Sequence, residues 1–266
     1  MKSRLISALI LLLVCVPILV HGETFFIALI LLIGLLSFKE LYDLRLKEKN
    51  LSLLITALAY FAVAFLILNN YQGKELTLIL DYRIITFINL AFLLPLVIIG
   101  DNEKYNLLDA MYLIGSILFI GLSFNLMILI RNYSLTYFIY YLIVAIFTDT
   151  FALTTGKLIG KHKLAPKISP NKTWEGFFGG LIMGTTIGVI FYITVINADV
   201  NMLNLILVTL VLSIIGEFGD LVFSQIKRFY NQKDFSKVIP GHGGFLDLFD
   251  SLIFIVVTAL LFINII

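Results

Sequence analysis

Long apolar runs, separated by short polar segments, make up most of the chain. An apolar run of about 17–25 residues is long enough to cross the hydrocarbon core of a bilayer as an α-helix. Nine runs have roughly this length, and they lie at about residues 5–21, 24–38, 52–69, 84–100, 107–130, 135–155, 174–196, 203–223 and 248–266. The pattern therefore predicts an all-α polytopic membrane protein with about nine transmembrane helices.

The first run also has the outline of a signal peptide, because Lys2 and Arg4 precede its apolar core. That core is long, however, and the segment VHGE at 20–23 is a poor small-residue cleavage site. A retained spanning helix is the favoured interpretation.

Basic residues fall mainly on one side of these nine spans. With the N-terminus in the cytoplasm, the inside segments hold 16 of the 19 Lys and Arg residues and the outside segments hold 3. Cytoplasmic loops carry an excess of Lys and Arg. The bias therefore predicts a cytoplasmic N-terminus and cytoplasmic loops at 39–51, 101–106, 156–173 and 224–247.

Composition agrees with a membrane protein and argues against several other classes. The chain is 60% hydrophobic and 14% charged, against about 45–50% and about 25% for a soluble domain. The single Cys15 excludes a disulfide framework and a cysteine-based metal site. Three dispersed histidines, His21, His162 and His242, argue against a zinc site. No basic stripe with interleaved aromatic residues is present, so no nucleic-acid partner is expected.

Polar motifs are concentrated in the second half of the chain. Spans before about residue 148 are nearly free of charge, whereas later spans carry polar motifs at their cytoplasmic ends. This shift predicts a transmembrane scaffold over 1–147 and a transmembrane catalytic region over 148–266. The segment 39–51 alternates in sign, and we expect it to form a solvated helical extension with no role in a site.

The stretch 216–251 combines acids, bases and glycines. Four carboxylates lie at or near the ends of two apolar segments, namely Glu217, Asp220, Asp247 and Asp250. Carboxylates at membrane depth are costly and indicate function, and they are ligands for hard cations such as Mg²⁺. Lys227 and Arg228 can bind phosphate, and the glycine turn at 241–244 offers backbone N–H groups to an anion. The stretch therefore predicts a metal–phosphate site at a membrane surface.

Helical spacing places these groups on shared faces. Three polar residues of the eighth run lie three or four positions apart, namely Glu217, Asp220 and Ser224. Asp247 and Asp250 share a face if the last helix starts near Gly244. Two helix ends with a carboxylate pair each can hold one or two divalent ions. Lys227 and Arg228 continue the first face, either toward phosphate or as ordinary anchors of an inside loop.

In the turn, His242 either contacts a phosphate, which we favour, or is simply a turn residue. Glycines 241, 243 and 244 permit positive φ angles and a close approach of the backbone.

Two further motifs precede this stretch. Asp149 lies near the inner end of the sixth run, where Thr148 or a lysine from the loop could satisfy it, or where it could belong to the site. In the segment SPNKTWEG at 169–176, Thr173 can cap the next helix and Glu175 lies in its first turn. The functional alternative is that three side chains reach a phosphate at that helix N-terminus, namely Ser169, Lys172 and Thr173.

Together these motifs resemble the phosphatidate cytidylyltransferase (CDP-diacylglycerol synthase) family. The family signature reads S-x-φ-K-R-x4-K-D-x-small-x2-φ-P/G-x-H-G-G-φ-x-D-R-φ-D, where φ is apolar. The residues that match it in register are Ser224, Lys227, Arg228, Lys233, Asp234, Ser236, Ile239, Pro240, His242, Gly243, Gly244, Asp247 and Asp250. SPNKTWEG is similar to the family's S-P-x-K-T-x-E-G element, and Asp149 matches the acid that precedes it. The chain departs from the family at Leu248, usually Arg, and at Phe223, often Glu.

The resemblance implies transfer of CMP from CTP to phosphatidate, which gives CDP-diacylglycerol and pyrophosphate. It also implies a homodimer in the inner cell membrane, and a Mg²⁺ centre with K⁺ as the second cation on Asp220 and Asp247. Asp149 and Asp250 would support the metals. Phosphates would be held by four bases, namely Lys172, Lys227, Arg228 and Lys233, with Ser169, Thr173, Gly243 and Gly244 contributing to the nucleotide site. Ser224, Asp234 and His242 would be site residues of unassigned role.

Three alternatives stay open on the sequence. A CTP-dependent polyprenol or lipid kinase would release CDP instead of pyrophosphate. A cytidylyltransferase for an ether lipid would differ only in its lipid. An ion-coupled transporter would use the acids as cation sites, but transporters often contain repeated, broken spans in both halves, and the first half of this chain shows neither feature.

Overall fold

The structure is a computed structural model, and it describes residue 13 and residues 15–49, 51–69, 81–241 and 243–262. Its helices are α1 (Glu23–Leu46), α2 (Leu53–Ile67), α3 (Tyr82–Ile99), α4 (Leu107–Tyr133), α5 (Leu135–Ile159), α6 (Trp174–Phe191), α7 (Met202–Phe229) and α8 (Leu246–Ala259). Residues 15–21 are also helical. A short π-helical segment, Tyr192–Ile196, continues α6.

Six helices in the described part of the chain are long and apolar enough to cross a membrane, namely α1 and α3 to α7. The shorter α2 is also apolar. The predicted all-α polytopic class is therefore confirmed. The count of nine spans and the cytoplasmic N-terminus stay predictions, because most of the first predicted span and the end of the last lie outside the described residues.

Side-chain caps explain where several helices begin. Ser52 Oγ accepts from the backbone N–H of Ile55 at the start of α2, and Asp81 accepts from the N–H of Arg83 at the start of α3. The predicted cap at Thr173 is confirmed, because its Oγ1 accepts from the N–H of Gly176. Such caps satisfy N–H groups that have no partner within the helix.

The segment before α6 is extended. β1 (Lys163–Ala165) pairs antiparallel with β2 (Ser169–Thr173), with Lys163 opposite Thr173 and Ala165 opposite Ser169. The predicted loop is therefore a small hairpin. It delivers Lys172 and Thr173 directly to the N-terminus of α6.

The described residues divide into two compact units. The first lies within Met1–Asn132 and Phe235–Leu246, and the second within Tyr133–Asp234 and Asp247–Ile266. The predicted scaffold at 1–147 and the predicted catalytic region at 148–266 are assignments of function, and they stay predictions.

Within the first unit, several charged residues at the end of α1 and just after it bind buried or half-buried partners. Glu40 is 6% exposed, and Asp109 of α4 is fully buried. Arg45 Nη2 lies 2.9 Å from Asp109 Oδ1, and Lys49 Nζ lies 2.5 Å from Asp109 Oδ2. The predicted helical extension is confirmed, since α1 runs to Leu46 and a 3₁₀ turn continues it over Lys47–Lys49. Its predicted solvation holds for the exposed Lys39 and Lys47, but it is wrong for Arg45 and Lys49, because a buried acid on another helix pairs with them.

Within the second unit, glycines let α6 approach α5 closely. A Cβ atom at Gly180 would lie 2.7 Å from the carbonyl oxygen of Thr148, and one at Gly184 would lie 2.0 Å from Thr148 Oγ1. Small residues four positions apart allow helix backbones to approach in this way. The same face of α6 meets α7, since a Cβ at Gly180 would lie 3.1 Å from Glu217 Oε1. The glycines thereby bring the acids of α5 and α7 to one helix.

Candidate active site

Lys172, at the end of the hairpin, binds two carboxylates of α7. Its Nζ lies 2.6 Å from Glu217 Oε2 and 2.8 Å from Asp220 Oδ2. The three-residue spacing of the two acids places both on the face that meets Lys172. Sequence reasoning predicted this face, but it did not predict that Lys172 would be its partner.

The charge of this lysine is stabilised by its surroundings. Burial lowers the pKa of the Lys172 ammonium, but the carboxylates of Asp220 and Glu217 raise it by more, so that its pKa lies above the usual lysine value. A raised lysine pKa means that the stabilising contribution is complete below about pH 10.4, the ordinary value, and is lost only as the pH rises through the raised value. Lys172 is therefore cationic throughout the physiological range.

Glu217 is one of the four carboxylates of the predicted metal–phosphate site, but it is absent from the residues to which the family resemblance assigns a role. Its side chain is 1% exposed, and its second oxygen, Oε1, is buried without a hydrogen-bond partner in the described part of the chain. Buried polar atoms are rarely left in this state. The signal was present in the sequence, since Glu217 lies one helical turn before Asp220 and shares its face.

Acids from α5 and α8 meet at a serine. Ser251 Oγ lies 3.2 Å from Asp149 Oδ1 and 3.4 Å from Asp250 Oδ1. Asp149 also interacts electrostatically with Lys172, Glu217 and Asp220, and it is exposed while Asp250 is buried. The structure thus brings Asp149 and Asp250 together with the α7 acids, as predicted. Nothing in the sequence pattern singled out Ser251.

A second lysine, Lys227, lies close to the acids of α8. Lys227 Nζ lies 2.5 Å from Asp247 Oδ1, and the two side chains are 9% and 6% exposed. Lys227 also interacts electrostatically with Asp220 and Asp250. Ser224 Oγ donates to Asp220 Oδ1 over 3.3 Å, as expected for residues four apart on a helix. Lys227 therefore lies within the acid cluster.

Arg228 has a different set of partners. Its Nε donates to the carbonyl oxygen of Ile168 over 3.1 Å, and its Nη1 donates to that of Gln232 over 2.9 Å. These bonds tie the end of α7 to the hairpin and to its own loop. Lys233 and Asp234 are exposed in that loop, so the structure brings neither of them into the cluster around Lys172 and Lys227.

The remaining predicted residues have local roles in their own segments. Ser169 opens β2 opposite Ala165, and Thr173 caps α6. In the first unit, Ile239 and Gly243 exchange two backbone hydrogen bonds of 2.8 and 3.0 Å that close the glycine turn. Gly241 and Gly243 have φ angles of 84° and 99°, which confirms the predicted need for glycine. His242 lies outside the described residues.

The acid cluster fits a hard cation in its chemistry. Carboxylate oxygens are the ligands that Mg²⁺ takes in proteins, and the unpartnered Glu217 Oε1 is a buried acceptor that a donor or a cation would satisfy. As the side chains stand, ammonium groups lie against these oxygens, and no three acid, histidine or cysteine side chains of the described ranges are arranged to hold a metal ion. In the described part of the chain, the partners of these carboxylates are therefore the two lysines.

Comparison with known proteins identifies the family. Residues 2–266 match the model of the cytidylyltransferase family. The chain is 36% identical over 255 residues to a phosphatidate cytidylyltransferase of Staphylococcus haemolyticus, with 96% of each chain covered. Proteins of the same name from Staphylococcus epidermidis and Staphylococcus aureus are 35% and 33% identical over 256 residues, again with 96% of each chain covered. Since the match covers nearly the whole length on both sides, the chain belongs to the cytidylyltransferase family.

Proposed function

We propose that this protein transfers CMP from CTP to phosphatidate, which yields CDP-diacylglycerol and pyrophosphate. The observation that carries the proposal is the cluster in which Lys172 and Lys227 form ion pairs with Glu217, Asp220 and Asp247. Asp149 interacts electrostatically with Lys172 in the same cluster. Buried charges of both signs are costly in such a protein. The names of the similar staphylococcal proteins support the same reaction.

The chemistry needs no covalent intermediate on the protein. An oxygen of the phosphatidate phosphate attacks the α-phosphorus of CTP, a new P–O bond forms, and the bond from the α-phosphorus to the bridging oxygen of pyrophosphate breaks. The leaving pyrophosphate takes the electron pair. The protein's task is to bring two polyanions together and to neutralise their charge.

In this proposal, the two lysines bind substrate phosphates. Each lies against carboxylates of the cluster, so each is placed to donate charge-assisted hydrogen bonds to phosphate oxygens when substrate arrives. Arg228, in the last turn of α7, and Lys233, in the loop that follows, would bind the outer phosphates.

Asp220 and Asp247 would hold Mg²⁺, with Asp149 and Asp250 as support and K⁺ as a second cation. Bound Mg²⁺ supplies charge neutralisation to phosphate oxygens. A homodimer in the inner cell membrane completes the proposal, and it rests on the family resemblance.

The test follows the label in CTP. Purified protein in lipid nanodiscs should transfer label from α-³²P-CTP into a chloroform-soluble product and release pyrophosphate in equal amount when phosphatidate and Mg²⁺ are present. Transfer of label from γ-³²P-CTP into lipid would identify a kinase. Faster turnover of an ether-linked phosphatidate than of the diacyl lipid would identify the ether-lipid enzyme.

A comparison of two lysine variants in the same hairpin tests whether the activity depends on the cluster. Lys172→Ala should lose at least a hundredfold in kcat/KM, because it removes a cation from the reacting phosphates. Lys167→Ala removes an exposed lysine five residues earlier, and it should retain nearly full activity. Equal activity in both variants would contradict the proposed role of the cluster.

A further inference from the structure

Glu40, near the end of α1, binds the segment that leads into α8. Its Oε1 accepts from Ser236 Oγ over 2.6 Å and from the backbone N–H of Phe245 over 2.9 Å. Its Oε2 accepts from the N–H of Leu246, also over 2.9 Å. About 200 residues separate Glu40 from these donors along the chain. One buried carboxylate thus connects both ends of the segment 236–246.

Glu40 acts as an N-terminal cap of α8, although it lies far from α8 in the sequence. Leu246 is the first residue of α8, and the first N–H groups of a helix have no partner within it. A carboxylate at that end is favoured by the helix dipole and by charge-assisted hydrogen bonds. The helix therefore starts where Glu40 accepts the N–H of its first residue, Leu246, and that of Phe245 directly before it.

Gly244 is required by the same contact. A Cβ atom at Gly244 would lie 2.4 Å from Glu40 Oε1, and Gly244 itself is buried. Any larger residue would push the carboxylate away from Phe245 and Leu246. The glycine at this position is thus explained by the approach of Glu40, whereas Gly241 and Gly243 are explained by their positive φ angles.

We propose that Glu40 is a positioning residue for the proposed transferase reaction. Asp247 is the second residue of α8 and follows Leu246 directly, so the hydrogen bonds of Glu40 fix the residue at which the helix that carries Asp247 and Asp250 begins. Ser236 contributes by orienting the Glu40 carboxylate. Only the expected effect on the reaction rate rests on the proposed function; the capping role does not.

The first measurement is independent of activity. Hydrogen–deuterium exchange of the intact protein in nanodiscs should show protected amides at Phe245 and Leu246. Glu40→Gln replaces one acceptor oxygen by an NH₂ group that cannot accept, so exchange at these amides should become at least tenfold faster. Unchanged protection in Glu40→Gln overturns the capping role, whatever the protein catalyses.

The second measurement is kinetic. Glu40→Gln should lower kcat/KM for CTP roughly tenfold or more, the size expected from the loss of one or two charge-assisted hydrogen bonds. It should also raise the Mg²⁺ concentration needed for half-maximal rate. Glu40→Asp, which keeps the charge on a shorter side chain, should recover part of both losses. If the parent protein itself fails to convert CTP and phosphatidate, the proposed function fails, but the exchange result still tests the cap.

Asp109→Asn is the matched control, because Asp109 is also a buried acid of the first unit that binds several donors. This variant should lower thermal stability while leaving kcat/KM and the Mg²⁺ requirement of the folded protein within twofold of the parent. If Glu40→Gln behaves in the same way, the positioning role is wrong.

If Glu40→Gln does not fold, Ser236→Ala removes the 2.6 Å hydrogen bond to Glu40 and a long one of 3.4 Å from the N–H of Val238, and it should show a change of roughly threefold in the same directions. No change in Ser236→Ala would then overturn the proposal.

Discussion

Replacement of Lys172 by methionine should lower both the stability and the activity of the protein. A second substitution, Glu217→Gln, should restore stability without restoring activity. Met has a similar length but no charge, so Lys172→Met leaves Glu217, 1% exposed, without the ammonium that lies 2.6 Å away. Removing one partner of a buried ion pair costs about 3–5 kcal/mol, because the remaining charge is buried without compensation. Asp220 is 28% exposed and keeps its bond from Ser224, so most of the loss comes from Glu217. We expect about 3 kcal/mol.

This loss should be visible as a change in thermal stability. For chains of 150–250 residues, 1 kcal/mol corresponds to about 2–4 °C in Tm, so Lys172→Met should lower Tm by roughly 6–12 °C in a detergent-based melting assay. The double variant Lys172→Met, Glu217→Gln neutralises the orphaned acid and should recover at least half of that shift. Its activity should stay as low as that of Lys172→Met, because the proposed phosphate ligand is still missing.

The exposed Lys167 provides the control, and Lys167→Met should change Tm by less than about 2 °C, as is usual for surface substitutions. A Tm for Lys172→Met within about 2 °C of the parent would show that the ion pair with Glu217 does not stabilise the fold. If Glu217→Gln does not raise the Tm of the Lys172 variant, the loss of stability does not come from the unpaired Glu217. Recovery of activity in the double variant would refute a phosphate-binding role for Lys172.

Three further predictions address topology, metal and specificity. A cysteine introduced in place of the exposed Lys237, in a protein without the native cysteine, should not react with an impermeant reagent added outside intact cells. Ready labelling at this position would contradict the nine-span topology. Asp220→Asn and Asp247→Asn should each abolish turnover in protein that is still folded and inserted, because each removes an anionic oxygen ligand; near-normal rates at low Mg²⁺ would refute the metal assignment. Leu248, 38% exposed on α8, stands where the family usually has Arg, and Leu248→Arg should change kcat/KM less than threefold if Lys233 or Lys237 supplies that contact. Lys233→Ala or Lys237→Ala should then lower kcat/KM about tenfold, and harmless outcomes for all three substitutions would contradict this compensation.

Most of the helices were predictable from the sequence because a bilayer imposes a simple rule. In lipid, each backbone polar group must be bonded within its own helix, so length and apolarity are sufficient to locate a span. The run predicted at 174–196 agrees with the observed span Trp174–Ile196, and that at 203–223 lies within α7. Local spacing was equally reliable, since the cap at Thr173 and the bond from Ser224 to Asp220 follow from helix geometry alone.

The partners of the charged residues were decided by the tertiary structure. Lys172 binds Glu217 and Asp220 from a hairpin that no hydrophobic periodicity indicates. The charged end of α1 has the composition of a solvated segment, yet Glu40 accepts from Leu246 in the first unit. Composition describes how costly a charge is to bury, but only the packing of distant segments supplies the donors that offset this cost. The sequence by itself therefore determined the membrane helices and the set of acids and bases, and the tertiary structure determined which of them neutralise one another.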